Sequence, residues 1–174
     1  MPGSGSRAKV VFWGFAIFFV QGHGIHLSAN SIGNLLKEKT SDVYRLTYFY
    51  DERLGHYLWT FGLVGLWSVI VAANARGSAY CLSGRARLAT LVAALVYGFN
   101  YFVGTVEAQT TPIGIPYAVA VSLVVLLLRK RTGPLWGNPV LAFTLIAYLF
   151  SALLFLGWGV YWRGMPEFSA VGIL

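Results

Sequence analysis

Five apolar stretches, each about long enough to cross a bilayer, occupy most of this 174-residue chain. A helix rises about 1.5 Å per residue, so roughly 20 residues span a hydrocarbon core about 30 Å thick. One such stretch could be a buried helix of a soluble protein, but a chain this short has no interior large enough to hide five. The expected fold is therefore all-α: a polytopic integral membrane helical bundle of five transmembrane helices, forming a single transmembrane domain over residues 1–174. The spans fall near 10–34, 56–75, 87–107, 112–128 and 139–161. Only 11% of the residues are charged, where a soluble domain carries about 25%.

The few charges are distributed in a way that sets the orientation. With an odd number of spans the termini lie on opposite sides. The N-terminal side holds Arg7, Lys9, Arg76, Arg85, Arg87, Arg129, Lys130 and Arg131 and no acid. The other side holds Lys37, Lys39, Arg45, Arg53 and Arg163 together with every acid of the chain: Glu38, Asp42, Asp51, Glu52, Glu107 and Glu167. Basic loops stay in the cytoplasm, so the N-terminus is expected inside and the C-terminus outside, in an inner (plasma) membrane. The net charge of +7 is spent on these short loops and forms no contiguous basic face, which excludes nucleic acid as a partner.

Arg7 and Lys9, the apolar run and Ser28-Ala29-Asn30 imitate a secretory signal, but the run is long and a retained span is expected. Residues Met1 to Ser6, rich in Gly and Ser, are expected to be disordered. Cys81 is the one cysteine and sits in a loop, so no internal disulfide forms, and no Cys/His zinc motif is present. Between the first two spans, Ser41 and Asp42 suit a helix start, and Val43, Leu46, Phe49 and Tyr50 recur near helical spacing. A short interfacial helix is expected there, either as an aromatic anchor or as a lid.

The polar residues are concentrated at one end of the bundle. The first span ends GHGIHLSANSIGN, in which His23, His26, Asn30 and Asn34 share a helix face. The second begins YDERLGHYLW, in which Glu52 and His56 are four residues apart. The third ends YGFNYFVGTVE, placing Tyr97, Asn100 and Glu107 on a common face. The topology puts these ends on the outer side. His23 lies about 20 Å along the axis from Val10, within the outer part of the core, where a polar stripe facing lipid is costly. The stripe is therefore expected to line a cavity.

Three histidines and nearby carboxylates suit a transition metal. His23, His26 and His56 are the expected nitrogen ligands and Asp51 the expected oxygen ligand, around a single ion, zinc first and iron second. Glu52 and Glu107 are candidates for proton transfer, Asn30 for holding substrate or a bound water, and Asn100 with Tyr97 for steadying developing charge. There is no HExxH, and Glu52-x-x-x-His56 has the wrong spacing for a di-iron bundle. Other roles stay open. Asp51, Glu52 and His56 could simply cap the second span, one histidine could ligate haem, and Glu107 could be a boundary acid. Ala89 with Ala93, and Ala94 with Gly98, form two small-residue pairs read as helix packing.

The donor types resemble those of the alkaline-ceramidase and adiponectin-receptor superfamily, membrane zinc hydrolases with three histidines and an aspartate. That family has seven spans and a late HxxxH, whereas here HGIH lies in the first span. Separately, Tyr97-Gly98 followed by Tyr101, Phe102 and Glu107 resembles, over a dozen residues, the third span of sterol-isomerase (emopamil-binding) proteins. The histidine set at the outer end, with an open ligand position, points to a metal-dependent hydrolase of a lipid or other apolar substrate near the outer leaflet, since zinc needs no redox partner, and the first resemblance agrees with it. The alternative is a metal-free acid/base isomerase that uses Glu107, with which the second resemblance agrees. A third reading is a cofactor-binding, transport or assembly subunit, as a homo-oligomer or within a membrane complex.

Overall fold

The computed structural model describes residues 4–75, 82–132 and 134–173. Cys81, Arg76 and Met1 to Gly3 lie outside the described residues. The helices run α1 (Ser4–Leu35), α2 (Asp42–Tyr48), α3 (His56–Asn74), α4 (Gly84–Glu107), α5 (Thr111–Thr132) and α6 (Pro139–Trp162), and a π-helical segment, Phe49–Gly55, joins α2 directly to α3. Five helical runs are long and apolar enough to cross a membrane. Their surfaces agree with that reading. Val10, Trp13, Ile17 and Val20 on α1, and Leu149, Leu153, Leu156 and Val160 on α6, are all exposed, an arrangement that water would not tolerate and lipid does.

Two expectations change. Helix α1 begins at Ser4, inside the Met1 to Ser6 stretch read as disordered, of which Met1 to Gly3 lie outside the described residues. The short helix expected after Ser41 is present as α2, but joined end to end with the second span. Ser41 does cap it, its hydroxyl accepting the Tyr44 N–H at 3.2 Å, but the helical run continues from Asp42 through the π-segment to Asn74.

The chain forms two compact units. The first comprises the described part of Met1–Trp67 together with Ala108–Thr110, and the second Ser68–Glu107 with Thr111–Leu174. In the first unit α1 packs backbone to backbone against the run from the π-segment into α3. A Cβ on Gly22 would strike Trp59 N, and one on Gly62 would strike Phe19 N. Glycine alone permits that approach.

The second unit is built around α6. Leu141, Leu145, Tyr148, Ser151 and Phe155 follow each other at helical spacing and are all buried. Gly98 on α4 meets the Ala147 carbonyl, where no Cβ fits, and Ser151 Oγ lies 2.8 Å from both the Gly98 and the Ala147 carbonyl oxygens. Of the small-residue pairs read from the sequence, Ala94 and Gly98 are buried, while Ala89 and Ala93 are exposed. Asn138 starts α6 by accepting the Leu141 N–H at 3.2 Å, with Pro139 at the first helical position.

Candidate metal centre

His26 lies on α1 where the glycine seam brings the neighbouring backbone closest. A Cβ on Gly55 would be 3.0 Å from His26 N and 3.1 Å from His26 Cα. The short side chains of Asp51 and His56 thereby reach the His26 ring. The winding of Phe49–Gly55 is equally necessary. At about 100° per residue, an α-helix would set two residues five apart about 140° from each other. The wider i→i+5 winding of a π-helix returns them to one face. Asp51 and His56 are five apart and do share a face.

Among the described residues, His26, Asp51 and His56 form one group able to hold a metal ion, each offering a ligand atom within 4.8 Å of the others. His26 Nδ1 is 2.6 Å from Asp51 Oδ1, and the two imidazole rings are 4.5 Å apart at 41°. Asp51 is 9% and His56 6% exposed. Nonetheless His26 Nδ1, Asp51 Oδ1 and His56 Nδ1 make no hydrogen bond; the 2.6 Å approach is an ion-pair distance without hydrogen-bond alignment. A buried polar group without a hydrogen bond costs about 1–3 kcal/mol, a cost that the ion pair of His26 and Asp51 offsets in part. A cation shared by all three would meet them together and neutralise a buried carboxylate. Ligands on one tetrahedral zinc stand roughly 3.3 Å apart, so an ion would need the 2.6 Å His26–Asp51 approach to open and any wider separation, at most 4.8 Å, to close.

The second contacts of His56 fit the same purpose. Its ring meets the backbone carbonyls of Ala108 and Glu52. With Nδ1 making no hydrogen bond, Nε2 is left to donate to Ala108, the arrangement that fixes a ligating imidazole. The Ala108–Thr110 turn is itself held in place. Ala108 and Thr110 are buried, Gln109 takes a left-handed φ of 53°, and Tyr57 donates its hydroxyl to the Gln109 carbonyl at 3.3 Å.

The remaining residues singled out from the sequence take varied places. Glu52 lies beside the group, its Oε2 3.4 Å from His56 Nδ1. His23 is outside the three-residue group, with its ring 4.8 Å from that of Trp59 at 90°. Asn30 is exposed and accepts from Asn34 Nδ2 at 2.7 Å. Asn100 is exposed and donates to the Val96 carbonyl. Glu107 belongs to the second unit, where its carboxylate accepts the Phe168 N–H at 2.9 Å. Tyr97 pairs its hydroxyl with that of Tyr148 at 3.0 Å, so the face shared by Tyr97, Asn100 and Glu107 divides among separate partners. Two elements had no signal in the residue pattern: the π-winding and the Ala108 carbonyl. Trp59 reads from sequence as an ordinary bundle aromatic, yet its ring lies 6.3 Å from His26 and 6.4 Å from His56.

No family model, no curated protein and no solved structure matches this chain.

Proposed function

We propose that this protein is a membrane-embedded metal-dependent hydrolase of a lipid or other apolar acyl substrate, with His26, Asp51 and His56 as the ligands. The observation that carries this reading is the grouping of His26, Asp51 and His56, each offering a ligand atom within 4.8 Å of the others. Two imidazoles and one carboxylate leave coordination positions open, as catalytic zinc sites do. An ion held by these residues would supply Lewis acidity and an acidified water for acyl hydrolysis. Glu52, its Oε2 3.4 Å from His56 Nδ1, is placed to accept the proton that the attacking water gives up and to return it to the alcohol oxygen when the acyl–oxygen bond breaks, so that ester and water would leave as carboxylic acid and alcohol.

An apolar substrate is favoured by the surroundings. A groove of about 530 Å³ runs between α1 and α2, lined by Gly24, Ile25, Ala29 and Ile32 on one side and Val43 and Leu46 on the other. Ile25 directly precedes His26. The asymmetry of basic residues supports an outward-facing centre in an inner membrane.

The two-histidine, one-carboxylate donor set is also the set that non-haem iron uses, so iron stands as the second reading of the same centre. Elemental analysis of protein purified without added metal tests both. One equivalent of zinc, or of iron, lost in His26→Ala, Asp51→Ala and His56→Ala, is the expected result. Wild-type protein free of metal, or variants that keep it, would overturn the proposal.

A further inference from the structure

Two polar atoms beside the candidate centre are not served by the metal. His23 Nδ1 and Trp59 Nε1 are buried and make no hydrogen bond. Indole N–H is a donor only and cannot ligate a cation, so an ion seated on His26, Asp51 and His56 leaves it bare. The position of Trp59 is fixed, because Gly22 lies against its backbone and no side chain fits between them. Phe19 closes the other side, its ring 6.0 Å from that of His23 and 6.4 Å from that of Trp59. The His23 ring is 4.8 Å from that of Trp59, and the Trp59 ring is 6.3 Å and 6.4 Å from those of His26 and His56, among apolar rings where a hydrogen bond gains strength from the low local dielectric. Their common need is an oxygen acceptor: Trp59 Nε1 donates, and His23 donates from Nδ1 in one of its two neutral tautomers.

We infer that His23 and Trp59 form a subsite for a carbonyl or carboxylate oxygen adjoining the metal-holding group. The ligand class is a carboxylic ester or amide on the way in and a carboxylate on the way out. This deepens the hydrolase reading and rests on it for its place in turnover: the subsite supplies donors to the oxygen on which negative charge gathers when the acyl carbon is attacked. It also gives His23 a role outside the ligand set.

Acetate serves as the probe. The full-length chain is labelled with ¹⁵N in its indole nitrogens and held in detergent micelles. The Trp59 cross-peak, one of six tryptophans, is identified by its loss in Trp59→Phe. Sodium acetate is titrated against sodium chloride at matched ionic strength. The expected result is a saturable downfield movement of the Trp59 N–H, with a midpoint about tenfold higher in His23→Phe and largely restored in His23→Gln, which keeps a donor. A Trp59 N–H that ignores acetate, as it would if only water occupied the subsite, overturns the inference. So does an unchanged midpoint in His23→Phe. Metal content of the same samples is read separately. Missing metal with an intact acetate response refutes the centre and keeps the subsite, and full metal with no acetate response does the reverse.

Discussion

Gly55 and His26 touch through their backbones, and the closeness of that contact decides whether the three ligands can meet. A Cβ at residue 55 would sit 3.0 Å from both His26 N and the Tyr50 carbonyl oxygen. These are backbone atoms within helical segments, so neither can swing aside as a flexible side chain would. Gly55→Ala is therefore expected to push the π-segment away from α1, costing about 1–3 kcal/mol of stability and weakening metal binding at least tenfold. Cobalt titration with thermal unfolding in detergent checks both. Gly14→Ala, where an added Cβ meets nothing within 4 Å, should leave both readings at the wild-type value.

The π-winding makes a sharper demand. Removing one residue from Phe49–Gly55 ahead of Asp51 allows ordinary α-winding while Asp51 and His56 stay five apart, about 140° from each other. Phe49 is exposed and makes the least disruptive such deletion. The chain lacking Phe49 should keep its helical content by circular dichroism and lose stoichiometric metal. Metal retained at one equivalent would mean that the winding does not matter for the site.

This segment also marks the limit of what the residues alone disclose. The apolar runs displayed the helices directly, because hydrophobic length is set by bilayer thickness, and the Ser41 cap was legible from a single hydroxyl next to an aspartate. Convergence of His26, Asp51 and His56 was legible as well, since costly residues clustered at one end. The exclusion of His23 from the ligand group was not, because i, i+3 spacing lets two histidines share a face while tertiary packing selects only one. Asp51 is already the expected oxygen ligand from the sequence, and the structure groups it with His26 and His56, but nothing in the sequence shows how a residue five positions before His56 reaches the same face. The π-winding does that, and it has no side-chain pattern of its own. The Ala108 carbonyl was beyond reach for a similar reason: a backbone acceptor carries no sequence signature.

Asp51 and Glu52 should separate binding from chemistry. Asp51→Asn keeps shape and removes the charge that would hold a cation, and is expected to lower metal affinity about 10–100-fold or more. Glu52→Gln should retain one equivalent of metal while hydrolysis of a long-chain p-nitrophenyl ester falls about 10²–10⁴-fold. Loss of metal in Glu52→Gln would make Glu52 a ligand instead of a base, which equilibrium dialysis would show directly.

In the second unit, Gly98 carries the crossing of α4 over α6. Its missing side chain lets the Ala147 carbonyl approach, and Ser151 bonds the Gly98 carbonyl at 2.8 Å. Gly98→Val places a branched side chain against a fixed carbonyl and should lower the thermal midpoint in detergent, by the equivalent of about 1–3 kcal/mol. Ser151→Ala, which loses a hydrogen bond inside a candidate membrane span, should cost less, about 0.6 kcal/mol. A ranking in the opposite order would mean that polar contacts, not close packing, hold this crossing.

Gly24 offers the test of the groove. It lines the space between α1 and α2, and a Cβ there meets nothing within 4 Å, so Gly24→Leu adds volume to the groove without displacing a neighbour. It also favours the helix, since leucine is a better helix former than glycine by roughly 0.8–1 kcal/mol. The variant should fold at least as stably as wild type and bind metal equally well. If the groove receives the apolar part of the substrate, KM for a long-chain p-nitrophenyl ester should rise several-fold in Gly24→Leu, while kcat, and the KM of the short acetyl ester, stay near wild type. Gly14→Leu adds the same side chain elsewhere on α1 and should leave both esters unaffected. Equal rises in KM for the long and short esters would place the effect at the reacting centre instead of the groove, and no change for either would remove the groove from substrate binding.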